Sequence, residues 1–171
     1  MMEGVADSQR PKGHLAVSVQ VAAPVEQVWD ATTDWERQGT WMPGTRVRAT
    51  AAEGRGVGAG IEAWTGIGPF GFLDTMVISE WEPPHRCIVD HTGRLVRGSG
   101  AFEVAEASGG GSTLTWREDL DLPGGRLGRL GWLALRPAMG FALARALAKL
   151  AREISAEHAA AADSAGDRAT G

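Results

Sequence analysis

The chain of 171 residues has one cysteine, no tyrosine and no long uninterrupted apolar run. Cys87 cannot form an internal disulfide, and no second cysteine stands at zinc-ligand spacing, so a disulfide framework is excluded. This usage fits a reducing cytoplasm, the expected location. The histidines His14, His85, His91 and His158 show no paired-ligand spacing, and neither a metal nor another cofactor is expected. The lack of tyrosine removes a common phenolic proton donor. The most apolar stretch, between Leu130 and Ala151, is broken by Arg136, Pro137, Arg145 and Lys149, far short of the about 20 apolar residues of a membrane span. The first fourteen residues mix charges with Pro and Gly and contain no apolar signal core. Expectation therefore divides the chain into a flexible arm over 1–13, one domain over 14–156, and a disordered tail over 157–171 with little to bury.

Charge is slightly acidic overall, at −4, but unevenly placed. Arg126, Arg129, Arg136, Arg145, Lys149 and Arg152 give the segment 126–152 six positive charges and no acid. Such asymmetry can mark an anionic-lipid or nucleic-acid surface; the simpler reading is a solvated helix face. Only Phe141 accompanies the later basic residues, so the stacking platform of single-strand binders is missing and no nucleic acid is expected as a partner.

What is present is periodic. Met139, Leu143, Leu147, Leu150 and Ile154 recur at helical spacing and form one apolar stripe, predicting a long helix over Pro137–Glu157 with Pro137 in its first turn. A shorter helix is expected around Leu127 to Leu135. At the other end Leu15, Val17, Val19 and Val21 alternate with polar or small residues, which predicts a half-buried strand. Pro24, followed by Val25, Val28 and Trp29, opens a short amphipathic helix, and a second short helix or turn follows around Asp34 to Gly39. Between them and the long helix lie six β-type runs punctuated by glycine: 45–52, 60–66, 70–82, 86–92, 95–105 and 112–122. Short connections make neighbours antiparallel. Residues 66–71 match a dinucleotide fingerprint letter for letter, but a strand-like run follows where the fingerprint needs a helix, so this is a turn.

The sequence resembles the SRPBCC (START-like) superfamily, in its polyketide cyclase/dehydrase-like branch. The resemblance rests on Ala23-Pro24-Val25-Glu26-Gln27-Val28-Trp29-Asp30 after the first strand, and on Trp35 and Trp41-Met42-Pro43. It also rests on Glu80-Trp81-Glu82-Pro83-Pro84, Gly111-Ser112-Thr113-Leu114-Thr115-Trp116 and the C-terminal helix. It implies an α+β helix-grip fold: a curved antiparallel sheet of about seven strands wrapped around the long C-terminal helix, with two short helices after the first strand. It further implies a cavity between sheet and helix that holds a hydrophobic small molecule, on which only some members perform chemistry.

The residues themselves suggest where such a cavity would lie. Gly98 and Gly100 share a face with Val96, Phe102 and Val104 and remove side-chain volume there, unless they mark bulges that bend the sheet. Trp41, Trp81, Val96, Phe102, Leu114, Trp116, Met139 and Leu143 are expected to line the void. Glu118 shares parity with Leu114, Trp116, Leu120 and Leu122, so it faces inward without a neighbouring countercharge on its own strand. Burial there would favour a carboxyl able to act as general acid or base. His91, inward with Cys87 and Val89, is the second acid–base candidate. The run 70–82 has apolar residues on both faces, which calls for a bulge and leaves Asp74 without an assigned side.

Three readings follow: a carrier of a polyketide-like, aromatic or lipid molecule; a cofactor-independent cyclase/dehydratase working through cavity acids and bases; and a lipid-handling or partner-docking module that uses the basic side of the C-terminal helix. The expected partner is a hydrophobic small molecule, with membrane contact the lesser alternative and a monomer or homodimer as the assembly.

Overall fold

The computed structural model describes residues 12–169. The described residues begin with β1 (Lys12–Val21) and two short helices, α1 (Val25–Thr32) and α2 (Gln38–Trp41). Six strands follow: β2 (Thr45–Ala49), β3 (Gly60–Ile67), β4 (Phe70–Glu82), β5 (Arg86–His91), β6 (Gly98–Glu106) and β7 (Ser112–Asp121). One long helix, α3 (Arg126–Ala169), completes the fold. The strands form a single sheet in the order β1-β7-β6-β5-β4-β3-β2, with every neighbouring pair antiparallel. This is the α+β helix-grip arrangement: a meander from β2 to β7, then β1 added beside β7.

The apolar stripe of α3 does what its spacing requires. Leu147, Leu150 and Ile154 are fully buried against the sheet and α1, each contributing roughly 1.5–3 kcal/mol through burial. Met139 and Leu143 pack against the Leu15, Leu122 and Trp132 cluster but are only partly buried, because they also border open space. Aromatic rings fill much of the rest: Trp116 meets Phe102 edge-on at 4.7 Å and Trp41 at 6.1 Å.

The two ends of α3 depart from expectation. No separate helix over Leu127–Leu135 exists; α3 runs through Pro137 unbroken. The proline withdraws one backbone N–H from the ladder, but docking on both sides of it keeps the helix in place. Ahead of it, Trp132 is buried with Leu15 and Leu122, fitted so closely that a Cβ on Gly13 would come within 2.8 Å of the indole. Beyond Glu157 the expected disordered tail is helical as far as Ala169. The run Ala159–Ala162 has the highest intrinsic helix propensity, which sustains helix without burial. At the N-terminus, Lys12 and Gly13 belong to β1, with Lys12 paired to Asp121 across the ladder. The remainder of the expected arm, residues 1–11, and the last two residues of the tail lie outside the described residues.

The expected bulge in β4 sits between Ile78 and Glu80, where the register with β5 shifts. It settles the phase of the strand: Asp74, Met76 and Ile78 face inward, and after the bulge Trp81 takes over that side. The front of the run differs from expectation in that Phe70 is 82% exposed at the β3–β4 turn. Around Gly98 and Gly100 the β5–β6 and β6–β7 registers run without a break. Gly100 therefore thins the cavity face of the sheet, whereas Gly98, at φ 121°, is required by the backbone, since a Cβ there would stand 2.0 Å from the Asp119 carbonyl oxygen.

Candidate active site

Between the sheet and α3 lies a cavity of about 810 Å³, within the range of roughly 300–1,000 Å³ usual for small-molecule sites. Its wall is mostly apolar, from Trp41, Val47, Ile61, Met76, Val89, Phe102 and Trp116 on one side to Met139 and Leu143 on the other. Three ionisable side chains meet on the sheet side. His91 Nδ1–H donates to Asp74 Oδ2 at 2.7 Å, and His91 Nε2–H donates to Glu118 Oε2 at 3.2 Å. Trp116 Nε1–H donates to the other oxygen of Glu118 at 2.6 Å.

Each member arrives from a different strand, and the register explains how they meet. His91 pairs with Met76 of β4, which leaves Asp74 one inward step along the same face. Glu118 lies on β7, separated from β5 by β6, and directly opposite it on β6 is Gly100. With no side chain at Gly100, His91 and Glu118 join across the intervening strand. A Cβ there would stand 3.1 Å from Glu118 Oε1 and 3.3 Å from a Val89 methyl.

All three groups are largely removed from water, with side-chain exposures of 7% for His91, 9% for Asp74 and 14% for Glu118. Burial by itself would lower the pKa of His91. The hydrogen bonds and charges of Asp74 and Glu118 outweigh it, and the ring is pushed up to about 9. Two carboxylate acceptors, one per ring nitrogen, require a proton on both nitrogens, so the resting form near neutrality is an imidazolium between two acids. Cys87, fully buried nearby on β5, is pushed up to about 12 by burial and stays an inert thiol.

The expected residues divide cleanly. Glu118 and His91 come together, and Trp41, Val96, Phe102, Trp116, Met139 and Leu143 line the cavity with them. Trp81 does not: the bulge turns it toward α1, where Trp29 meets it edge-on at 5.0 Å. Nor does Leu114, which is fully enclosed in the packed core four residues along β7 from Glu118. Glu118 is also not an isolated carboxyl, since His91 supplies the countercharge that parity on a single strand could not reveal. Asp74 is the site residue that pattern reading missed. Its signal was the parity shared with Met76 and Ile78, obscured by counting back from Trp81 across the bulge. Among the described residues no group of three or more His, Cys, Asp or Glu side chains could hold a metal ion, and no helix is long and apolar enough to cross a membrane.

Fold and cavity together define a helix-grip protein with a buried acid–base cluster. The sequence model of the family described as polyketide cyclase / dehydrase and lipid transport matches residues 12–155, and the chain belongs to that family. No curated protein matches it. Among solved structures, the chain is similar to a protein of Thermus thermophilus (TM-score 0.67, 16% identity, covering 86% of this chain and 99% of the other). It is similar to the Zhui aromatase/cyclase from Streptomyces sp. R1128 (TM-score 0.66, 17% identity, 84% and 94% covered). A Polyketide_cyc-like protein of Corynebacterium glutamicum gives a TM-score of 0.61 at 20% identity, with 86% and 94% covered. At these identities the likeness is one of fold.

Proposed function

We propose that the protein is a cofactor-independent enzyme of the cyclase/dehydratase type, acting on a hydrophobic, oxygen-bearing molecule held between the sheet and α3. The observation that carries this reading is the imidazolium of His91 held between Asp74 and Glu118 on the wall of an otherwise apolar cavity. Withdrawing three charged groups from water costs several kcal/mol per ion before pairing repays it, and a hydrophobic wall of similar volume would be at least as stable. A passive apolar container needs no such cluster, whereas proton transfer does. The cyclase/dehydrase part of the family description and the aromatase/cyclase named among the structural neighbours support the same choice, while its lipid-transport part fits a carrier.

In the proposed step, a β-hydroxy ketone loses water. The Glu118 carboxylate takes the proton α to the carbonyl, the C–H electron pair becomes the new C=C bond, and the C–O bond breaks. The departing hydroxyl takes the Nε2 proton of His91 and leaves as water. The proton now on Glu118 then returns to His91 Nε2 across their 3.2 Å hydrogen bond, restoring the resting cluster. Asp74, on Nδ1, holds the ring in orientation throughout.

The test is dehydration of a panel of aryl β-hydroxy ketones, followed by the absorbance of the conjugated product, on wild type and Glu118→Gln. Glu118→Gln is expected to bind the panel within a few fold of wild type and to lower turnover by roughly 10²–10⁴. Saturable binding without turnover by the wild-type protein would sink the enzyme reading and leave a carrier.

A second reading is favoured by one surface. Leu127, Leu130, Leu133 and Phe141 are exposed on the first half of α3, interspersed with Arg126, Arg129 and Arg136 and no acid. Such a face suits the headgroup layer of an anionic membrane. Salt-sensitive sedimentation with vesicles containing phosphatidylserine, lost in Leu130→Glu, would support it.

A further inference from the structure

The charges lining the cavity are segregated. On the sheet side the carboxylates of Asp74 and Glu118 flank one imidazolium, a cluster of net charge −1. On the helix side Arg145, Lys149 and Arg152 also line the cavity. They follow one another at steps of four and three along α3, spanning about 10 Å of helix. Arg145 and Arg152 are exposed and still border the cavity, which places them at its rim. Lys149 is anchored there, donating to the carbonyl of Thr40 and lying 3.7 Å from Glu153. Arg145 and Arg152 have no carboxylate partner among the described residues, while Arg37, a short way along, is already committed to Glu157.

Unpaired guanidiniums at the edge of an apolar cavity select for an anion. The acid–base cluster selects against one, because a ligand anion pushed toward Asp74 and Glu118 would meet like charge in a poorly screened interior. We infer that the cavity takes an acidic amphiphile, with a carboxylate or phosphate monoester held at the rim by Arg145 and Arg152 and an uncharged body reaching the Asp74–His91–Glu118 cluster. The inference rests on the cavity reading above and deepens it: the reacting carbon lies at the end of the substrate away from its anion. Lys149, fixed to α2, contributes charge without being free to reorient.

The probes are pyrenebutyrate, its methyl ester and pyrenebutyl phosphate, three ligands with one body and different ends. Binding is followed by energy transfer from the cavity tryptophans at low and high salt, in wild type and in Arg145→Gln/Arg152→Gln. Both positions are exposed, so the double variant should fold, and circular dichroism checks this. Expected are about tenfold tighter binding of the acid than of the ester at low salt, a narrowing of that gap as salt rises, and its loss in the double variant with ester affinity unchanged. Whichever of carboxylate and phosphate binds tighter identifies the source of the anion. Equal affinity for acid and ester in wild type, or a preference that survives in the double variant, would overturn the inference while leaving the enzyme reading intact. Failure of all three probes to bind would overturn both.

Discussion

Both ring nitrogens of His91 face carboxylate oxygens, so removing either proton leaves one acid without its donor. The folded ring titrates at about 9, above its ordinary 6.5. A raised pKa means that the protonated ring stabilises the fold in full below about pH 6.5, and that this contribution is lost as pH rises through about 9. The stake is roughly 3 kcal/mol at most. Denaturant titrations across pH 6.5 to 9.5 should show declining stability in wild type and a flatter profile in His91→Gln. Nuclear magnetic resonance of the ring should place its titration well above neutrality, and Asp74→Asn should bring it down by about a unit or more; an unmoved titration would remove Asp74 from the cluster. If His91 is the proton donor, turnover should fall over the same alkaline range. Gly100 is the silent member of this group. Gly100→Ala puts a methyl 3.1 Å from Glu118 Oε1, and the expected result is impaired turnover with a smaller loss of stability. Glu118 and His91 were legible in the sequence because each obeys the two-residue alternation of its own strand. Their contact was not, since it crosses a third strand and depends on the pairing register. Asp74 was hidden by the bulge beside Ser79.

At the scale of elements, α3 divides into a part that packs and a part that borders empty space. Leu147→Ala removes a fully buried side chain and should cost roughly 2–5 kcal/mol in a denaturant titration. Leu143→Ala should cost less, because Leu143 is half-buried against the cavity. A reversal of that order would mean that the cavity is closed in solution. The register of the apolar stripe was readable over Met139 to Ile154, where a single face meets the sheet. The helix limits were not. Upstream, Pro137 carries an intrinsic penalty of about 3 kcal/mol relative to alanine, which reads as a boundary until the burial of Trp132 against Gly13, Leu15 and Leu122 is known. Pro137→Ala should therefore raise the melting temperature, and a lower one would show that the proline shapes the helix to fit the sheet.

The whole molecule combines an open, rolled sheet with a rod that is longer than the sheet is wide. Antiparallel pairing of successive strands and the α+β class were implied by seven short strand-like runs and one long helix, but the place of β1 beside β7 was not. The cavity was only suggested, because its volume depends on how far the sheet curls and which strands present glycine. The rod has a consequence for the protein in dilute solution. At 44 residues, α3 is about 66 Å long, whereas a ten-residue strand such as β7 covers about 33 Å. A spherical packing of this many residues has a radius of gyration of about 15–16 Å. Small-angle X-ray scattering should return a distinctly larger value, with a pair-distance distribution that trails off slowly toward the full length of the rod.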